Sequence, residues 1–357
     1  MMAMNANDGP SRHPSEDSFP TPQRFPLSSI PPSERDAFDD ATMQTETETA
    51  FLPAVMLRKY LRHSALPACL RFGQIPVGTT PKFITPWPEH SEMKRPEGSR
   101  VLEDVETYDK WNFSRSVRSY IDTLPAHHFG TKEASRLRLP SDGFAELDED
   151  DIERYSYIDG VDQLLATIEE DVLKTVCECI RVIERMPVDA PLFNDMQFHR
   201  ASHLCTAHNA RWDILAMCPN LFEAIPIVVI VVPPWEFSLK AFKRFTWARN
   251  FPANILDSLP VNPADSTSDK LWAVIHDVCY EQCKFFVVTN YTHWAFGRFT
   301  NNGKLAMITE PVEARTVGLG GGVNVAVDAG ANVPESLVYW VQVSRNAAPP
   351  VMQTRRN

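Results

Sequence analysis

The chain has 357 residues, with 46 acidic and 35 basic side chains, 29 prolines, 14 glycines and seven cysteines. That length holds two small domains or one larger one with tails, and 43% hydrophobic residues support a core large enough to exclude a chain disordered throughout. A net charge of -11 excludes coating nucleic acid by bulk charge, although a local basic face stays compatible with it.

Residues 1–50 contain seven prolines, six serines, five threonines and nine acidic against three basic side chains. Apart from Phe19, Phe25, Ile30 and Phe38, little there offsets the entropy of ordering, so a disordered acidic tail is expected. That tail carries -6 of the net charge and leaves the remainder closer to neutral. Residues 51–150 are expected to form a helical or irregular extension packed on the core, with a short helix over 55–63. A second helix is expected around Trp111, Phe113, Val117, Tyr120 and Ile121. The prolines of 83–88 read as extended chain, and the acidic run 146–153 as a solvated helix start rather than a cation site.

The clearest helix runs over 162–185, where Leu165, Ile168, Val172, Val176, Cys179 and Ile183 recur at steps of 3 or 4 and Pro187 is the stop. Segments 198–204 and 211–217 flank a turn at 207–210. The run 227–232 is β-branched throughout and bounded by prolines, as a strand buried on both faces would be. Residues 235–250 and 268–284 read as helices, the second with Ser268 as its cap. The period then changes to 2: 285–289 is a strand, 290–293 a turn, and 294–300 a second strand. Asn302-Gly303 turns the chain into 305–309. The glycines of 318–322 lack the Lys-Ser/Thr of a phosphate loop and read as a loop. A last element is expected over 334–343, and 346–357 form a C-terminal tail. Together these predict an α/β fold with a mixed central sheet flanked by helices over 151–345.

No apolar run approaches the length of a membrane-spanning helix, and residues 1–10 lack a secretory layout. With seven scattered cysteines, this points to an intracellular chain, in cytoplasm or nucleus, with free thiols and no membrane partner. A zinc site can be drawn from Cys279, Cys283, Cys205 and His208, but no close C-x-x-C pair supports it; Cys279 reads instead as a small buried hydrophobe. His127, His128 and His293 read as loop histidines. The kinase-like Phe198-His199-Arg200-Ala201 lacks the catalytic Asp, and no Gly-x-Ser-x-Gly elbow occurs.

The order helix, strands ending in Trp212-Asp213-Ile214-Leu215, buried strand, helix, then Phe285-Phe-Val-Val-Thr289-Asn290-Tyr-Thr-His-Trp294 resembles the PD-(D/E)XK nuclease-like superfamily. The Thr289-Asn290 and Trp294 stretch is its most specific piece. The chain is also similar to a group of uncharacterised fungal proteins whose central strand ends Glu-Val-Lys-Pro-Pro-Trp, where this sequence has Ile230-Val231-Val232-Pro233-Pro234-Trp235. The resemblance covers about 160–345 and implies a restriction-endonuclease-like fold. It also implies an acidic group at Asp213, on the same side of adjacent strands as position 230, that helps hold Mg²⁺ for attack on a phosphodiester. Ile230 and Val232 stand at the Glu and Lys positions, so the motif is degenerate. A degraded enzyme acting through nucleic-acid or protein binding, with no cofactor, is one expectation. An active Mg²⁺-dependent nuclease with ligands relocated to Glu236 and Lys240, or to Glu169 or Glu170, is another, and a protein-interaction module with no nucleic-acid role is the third. Lys240, Lys243, Arg244 and Arg249, interleaved with aromatics, are the candidate nucleic-acid contacts; the alternative is an amphipathic helix burying Phe242 and Phe245.

Overall fold

The computed structural model describes residues 56–68, 71–72, 102–141, 157–158, 160–187, 197–201, 213–218, 225–235, 237–250, 268, 271–272, 275–276, 278–279, 283–300, 303–317, 323–324 and 330–346. The expectations for 1–50, 83–88, 146–153, 207–210, 318–322 and 347–357 lie outside them.

In chain order the strands are β1 (Leu66–Pro67), β2 (Arg71–Phe72), β3 (Asp104–Tyr108), β4 (Tyr157–Ile158), β5 (Gln197–Arg200), β6 (Asp213–Cys218) and β7 (Ile227–Val231). They continue as β8 (Arg249–Asn250), β9 (Phe285–Thr289), β10 (His293–Thr300), β11 (Leu305–Thr309), β12 (Val312–Glu313), β13 (Thr316–Val317) and β14 (Val323–Asn324). Nine of them form one sheet in the order β5-β6-β7-β9-β10-β11-β3-β8, with β12 paired to β10. The pairs β7–β9 and β11–β3 are parallel and the rest antiparallel. The chain is therefore mixed α/β, with a mixed central sheet between helices.

Period-2 alternation splits the strand residues between two apolar layers. Ile227, Val229, Val231, Phe285 and Val287 join one layer with the helices Leu57–His63, Lys110–Thr123 and Val333–Asn346. Val228, Ile230, Val232, Phe286 and Val288 join the other with Phe242, Phe245, Leu271 and Trp272. A strand apolar on both faces is stable only in that position, in mid-sheet and covered twice. Among the described residues no helix is long and apolar enough to cross a membrane.

The predicted long helix runs Val161–Thr167, then a π-helical stretch Ile168–Leu173, then Lys174–Ile183. The π turn accommodates an extra residue, so Asp171, Val172 and Leu173 are all buried. The helix ends before Pro187. Arg185 adopts φ 56, and the amides of Arg185 and Met186 bond the carbonyls of Val182 and Arg181, a left-handed cap without the usual glycine.

Three other elements differ from the sequence reading. The helix expected over 235–250 is confined to Leu239–Phe245 and followed by β8. Ser268 is itself helical, and buried, rather than the cap before the helix, and Cys283 lies past the helix. Asp104–Tyr108, in the presumed N-terminal extension, is a sheet strand parallel to β11.

Candidate functional site

Strand β7 leads to the two positions, 230 and 232, at which the resemblance would place a Glu and a Lys. Ile230 is 0% exposed and Val232 1%, within the apolar layer that holds Phe237, Phe242, Phe245 and Trp272. The Val232 amide bonds the Thr289 carbonyl at 2.9 Å, which continues the β7–β9 ladder past the strand end. The expected geometry requires Asp213 and position 230 on one side of adjacent strands. The β6–β7 register instead pairs Asp213 with Val231 and Ile214 with Ile230. Ile230 is thus opposed on β6 by Ile214 and not by Asp213.

The relocated ligands fare as follows. Glu236 lies outside the described residues. Lys240 is exposed on the Leu239–Phe245 helix, whose N-terminus Ser238 caps by accepting the Ala241 amide at 3.3 Å. Glu169 and Glu170 sit in the π-helical stretch and line a cleft of about 340 Å³ with Arg136, Arg138, Lys174 and Arg181. Each carboxylate there has a basic partner: Glu170 pairs with Lys174, and Glu169 lies 3.6 Å from Arg200. Among the described residues no group of three or more His, Cys, Asp or Glu side chains converges as a metal site. Cys279 and Cys283 are free and buried, and burial holds the Cys279 thiol well above its ordinary range, as for a small apolar side chain. Mg²⁺ is usually held by several oxygens around one point, and no such gathering is found among the described residues.

The four basic candidates separate. Phe242 and Phe245 are buried while Lys240 and Lys243 are exposed and Arg244 half-buried, as an amphipathic helix dictates. Arg249 is spent on structure: its guanidinium donates to the Arg244 and Phe245 carbonyls at 2.5 and 3.3 Å, closing the helix C-terminus. Of the aromatics interleaved with these basic residues, Trp247 is the one left outside: it is 65% exposed and sits in the turn just beyond the helix.

The Thr289–Trp294 segment is a closed turn with its polar groups matched. Asn290 is buried and donates through Nδ2 to the Phe237 carbonyl at 2.7 Å. Its Oδ1 accepts from the His293 amide at 2.8 Å and the Thr292 hydroxyl at 3.0 Å. Thr289 Oγ1 donates to the His293 carbonyl at 3.0 Å and accepts the Tyr291 amide at 2.9 Å. Tyr291 takes φ 73, an unusual conformation for a bulky side chain, and its hydroxyl reaches the Pro67 carbonyl at 2.7 Å. Trp294 is buried and donates to the Tyr291 carbonyl at 2.9 Å. The most specific part of the resemblance is thus a structural clasp tying β9, β10 and the entry to the Leu239–Phe245 helix.

His293 is the first residue of β10 rather than a loop residue. Burial first, and the Lys243 ammonium after it, hold its imidazole below the ordinary histidine range, with Glu313 opposing. A folded-state value below the unfolded one means the unfolded chain binds the extra proton as pH falls below about 6.5. Stability from His293 is therefore full above that pH and lost as pH falls toward the folded value. Urea midpoints at pH 5.5 and 7.5 should show this slope, and His293→Gln should flatten it; an unchanged slope would remove His293 from the account.

No protein-family model matches this chain, and no curated protein or solved structure matches it either.

Proposed function

We propose that this chain is a nuclease-like α/β scaffold whose motif strand has been converted to core, and that it acts by binding nucleic acid or protein. The burial of Ile230 and Val232 carries the reading. A carboxylate and an ammonium at those two positions would have to be desolvated inside an apolar layer, at a cost of several kcal/mol each before pairing. The order of elements supports the nuclease-like part: a long helix, the antiparallel run β5-β6-β7, a helical crossover, and β9 parallel to β7. The clasp from Thr289 to Trp294 supports it at the residue where the resemblance is most specific.

The purified full-length chain is expected to leave plasmid, oligonucleotides and RNA intact in Mg²⁺ or Mn²⁺, with Asp213→Ala indistinguishable from the parent. Divalent-dependent cleavage that disappears in Asp213→Ala would establish the alternative, an active nuclease with relocated ligands.

A further inference from the structure

The exposed face of the Leu239–Phe245 helix carries Lys240 and Lys243. Lys240, Lys243 and Arg244 are spaced i, i+3 and i+4, so they lie along one stripe of the helix, and Trp247 follows in the turn just beyond its end. Between residues 237 and 250 there are four basic side chains and no acidic one. The opposite stripe anchors the helix. Phe237 meets Phe242 at 4.9 Å between ring centroids, and Phe245 stacks on Trp272 at 4.7 Å.

Trp247 is held on a braced turn. The preceding residues are fixed by three independent donors: Thr107 Oγ1 to the Thr246 carbonyl at 2.5 Å, Trp272 Nε1 to the Phe245 carbonyl at 3.1 Å, and the Arg249 guanidinium to the carbonyls of 244 and 245. A large aromatic that is 65% exposed leaves apolar area in water that burial would otherwise stabilise. Here the backbone beneath it is ordered in advance, which lowers the entropy lost when something packs on the ring.

From this juxtaposition of a lysine stripe and a braced, open indole we infer that the face binds single-stranded nucleic acid. Phosphates lie along Lys240 and Lys243, and one base stacks on Trp247. The inference rests on the binding role proposed above and assigns its partner. The cations alone would also attract an acidic peptide or a duplex. Only an unpaired strand supplies both a regular anionic backbone and free aromatic faces, since duplex bases are already stacked on one another.

The test uses the full chain and fluorescence anisotropy with labelled single-stranded DNA and RNA 20-mers, the matched duplexes, and a poly-glutamate peptide. Expected are single-strand binding that weakens with salt, at least tenfold preference over duplex, and poor competition by the peptide. Trp247→Ala should weaken binding about tenfold, since stacking on one aromatic contributes roughly 1–3 kcal/mol per base, while Trp247→Phe keeps most of it. Lys240→Glu with Lys243→Glu should abolish binding. Both sites are on the surface, so circular dichroism should match the parent. Equal affinity for duplex, preference for the peptide, no binding, or an unchanged Trp247→Ala would overturn the inference. Cleavage of the same oligonucleotides in Mg²⁺ would instead sink the non-catalytic reading and leave the Trp247 result standing.

Discussion

Asn290→Ala is expected to destabilise the protein by about 2–4 kcal/mol, because three hydrogen bonds are lost and their partners are left behind in a buried turn. The Phe237 carbonyl loses its Nδ2 donor, and the His293 amide and Thr292 hydroxyl lose Oδ1. Asn290 is 2% exposed, so water cannot readily replace the amide. Thr292→Val is the comparison: it removes only the hydroxyl of a half-buried residue and should cost about 1 kcal/mol. Urea unfolding measures both, and a shift for Asn290→Ala below that of Thr292→Val would refute the clasp. The effect has a functional arm as well. Phe237 opens the segment leading into the Leu239–Phe245 helix, so hydrogen exchange of that helix should quicken in Asn290→Ala more than exchange of the Val333–Asn346 helix on the other layer.

Much of the central layer was legible because its signal is local. Six consecutive β-branched residues from Ile227 to Val232 can be satisfied only by a strand covered twice, and both layers are present. The period-2 run from Phe285 and the Asn302-Gly303 turn likewise give β9, β10 and β11, with Gly303 at φ 86. Asp104–Tyr108 was not legible, since only Val105 of its residues is fully buried and five residues show too little alternation. Its place beside β11 is set by a pairing two hundred residues apart. The turn at Arg185 was hidden because no glycine marks it, and the π stretch because an extra residue blurs the 3.6 period. The burial of positions 230 and 232 was legible in the apolar run, but register is not a local property. A shift of one residue moves a whole strand to the other face, and only the β6–β7 ladder shows that Asp213 stands opposite Val231. Exposure of Trp247 escaped for a similar reason: its neighbours Phe242 and Phe245 are buried, and composition does not say which aromatic in a run is left outside.

Gly297→Ala should destabilise the protein by about 1–3 kcal/mol through overpacking. Gly297 pairs with Phe286 across β9 and β10, and a Cβ built on it would meet the Phe286 ring at 2.2 Å from Cζ and 2.4 Å from Cε2. The ring has little room to retreat. It lies edge-on to Trp272 at 5.8 Å and tilted against Phe299 at 5.1 Å between centroids, and Phe286 is fully buried. Neither backbone conformation nor turn chemistry calls for glycine at this point, as Gly297 lies inside a strand and has no positive φ. Its role is to let an aromatic lie across the backbone of the adjacent strand, a use of glycine in sheets that follows from the missing side chain. The remedy follows from the same geometry. Phe286→Leu alone should destabilise by leaving space, but combined with Gly297→Ala the two should be less damaging than the sum of the singles, with a coupling of about 0.5–3 kcal/mol. A double-mutant cycle in urea measures it. Strict additivity would mean that the methyl group is accommodated by the backbone instead, and that Phe286 is not what keeps position 297 bare.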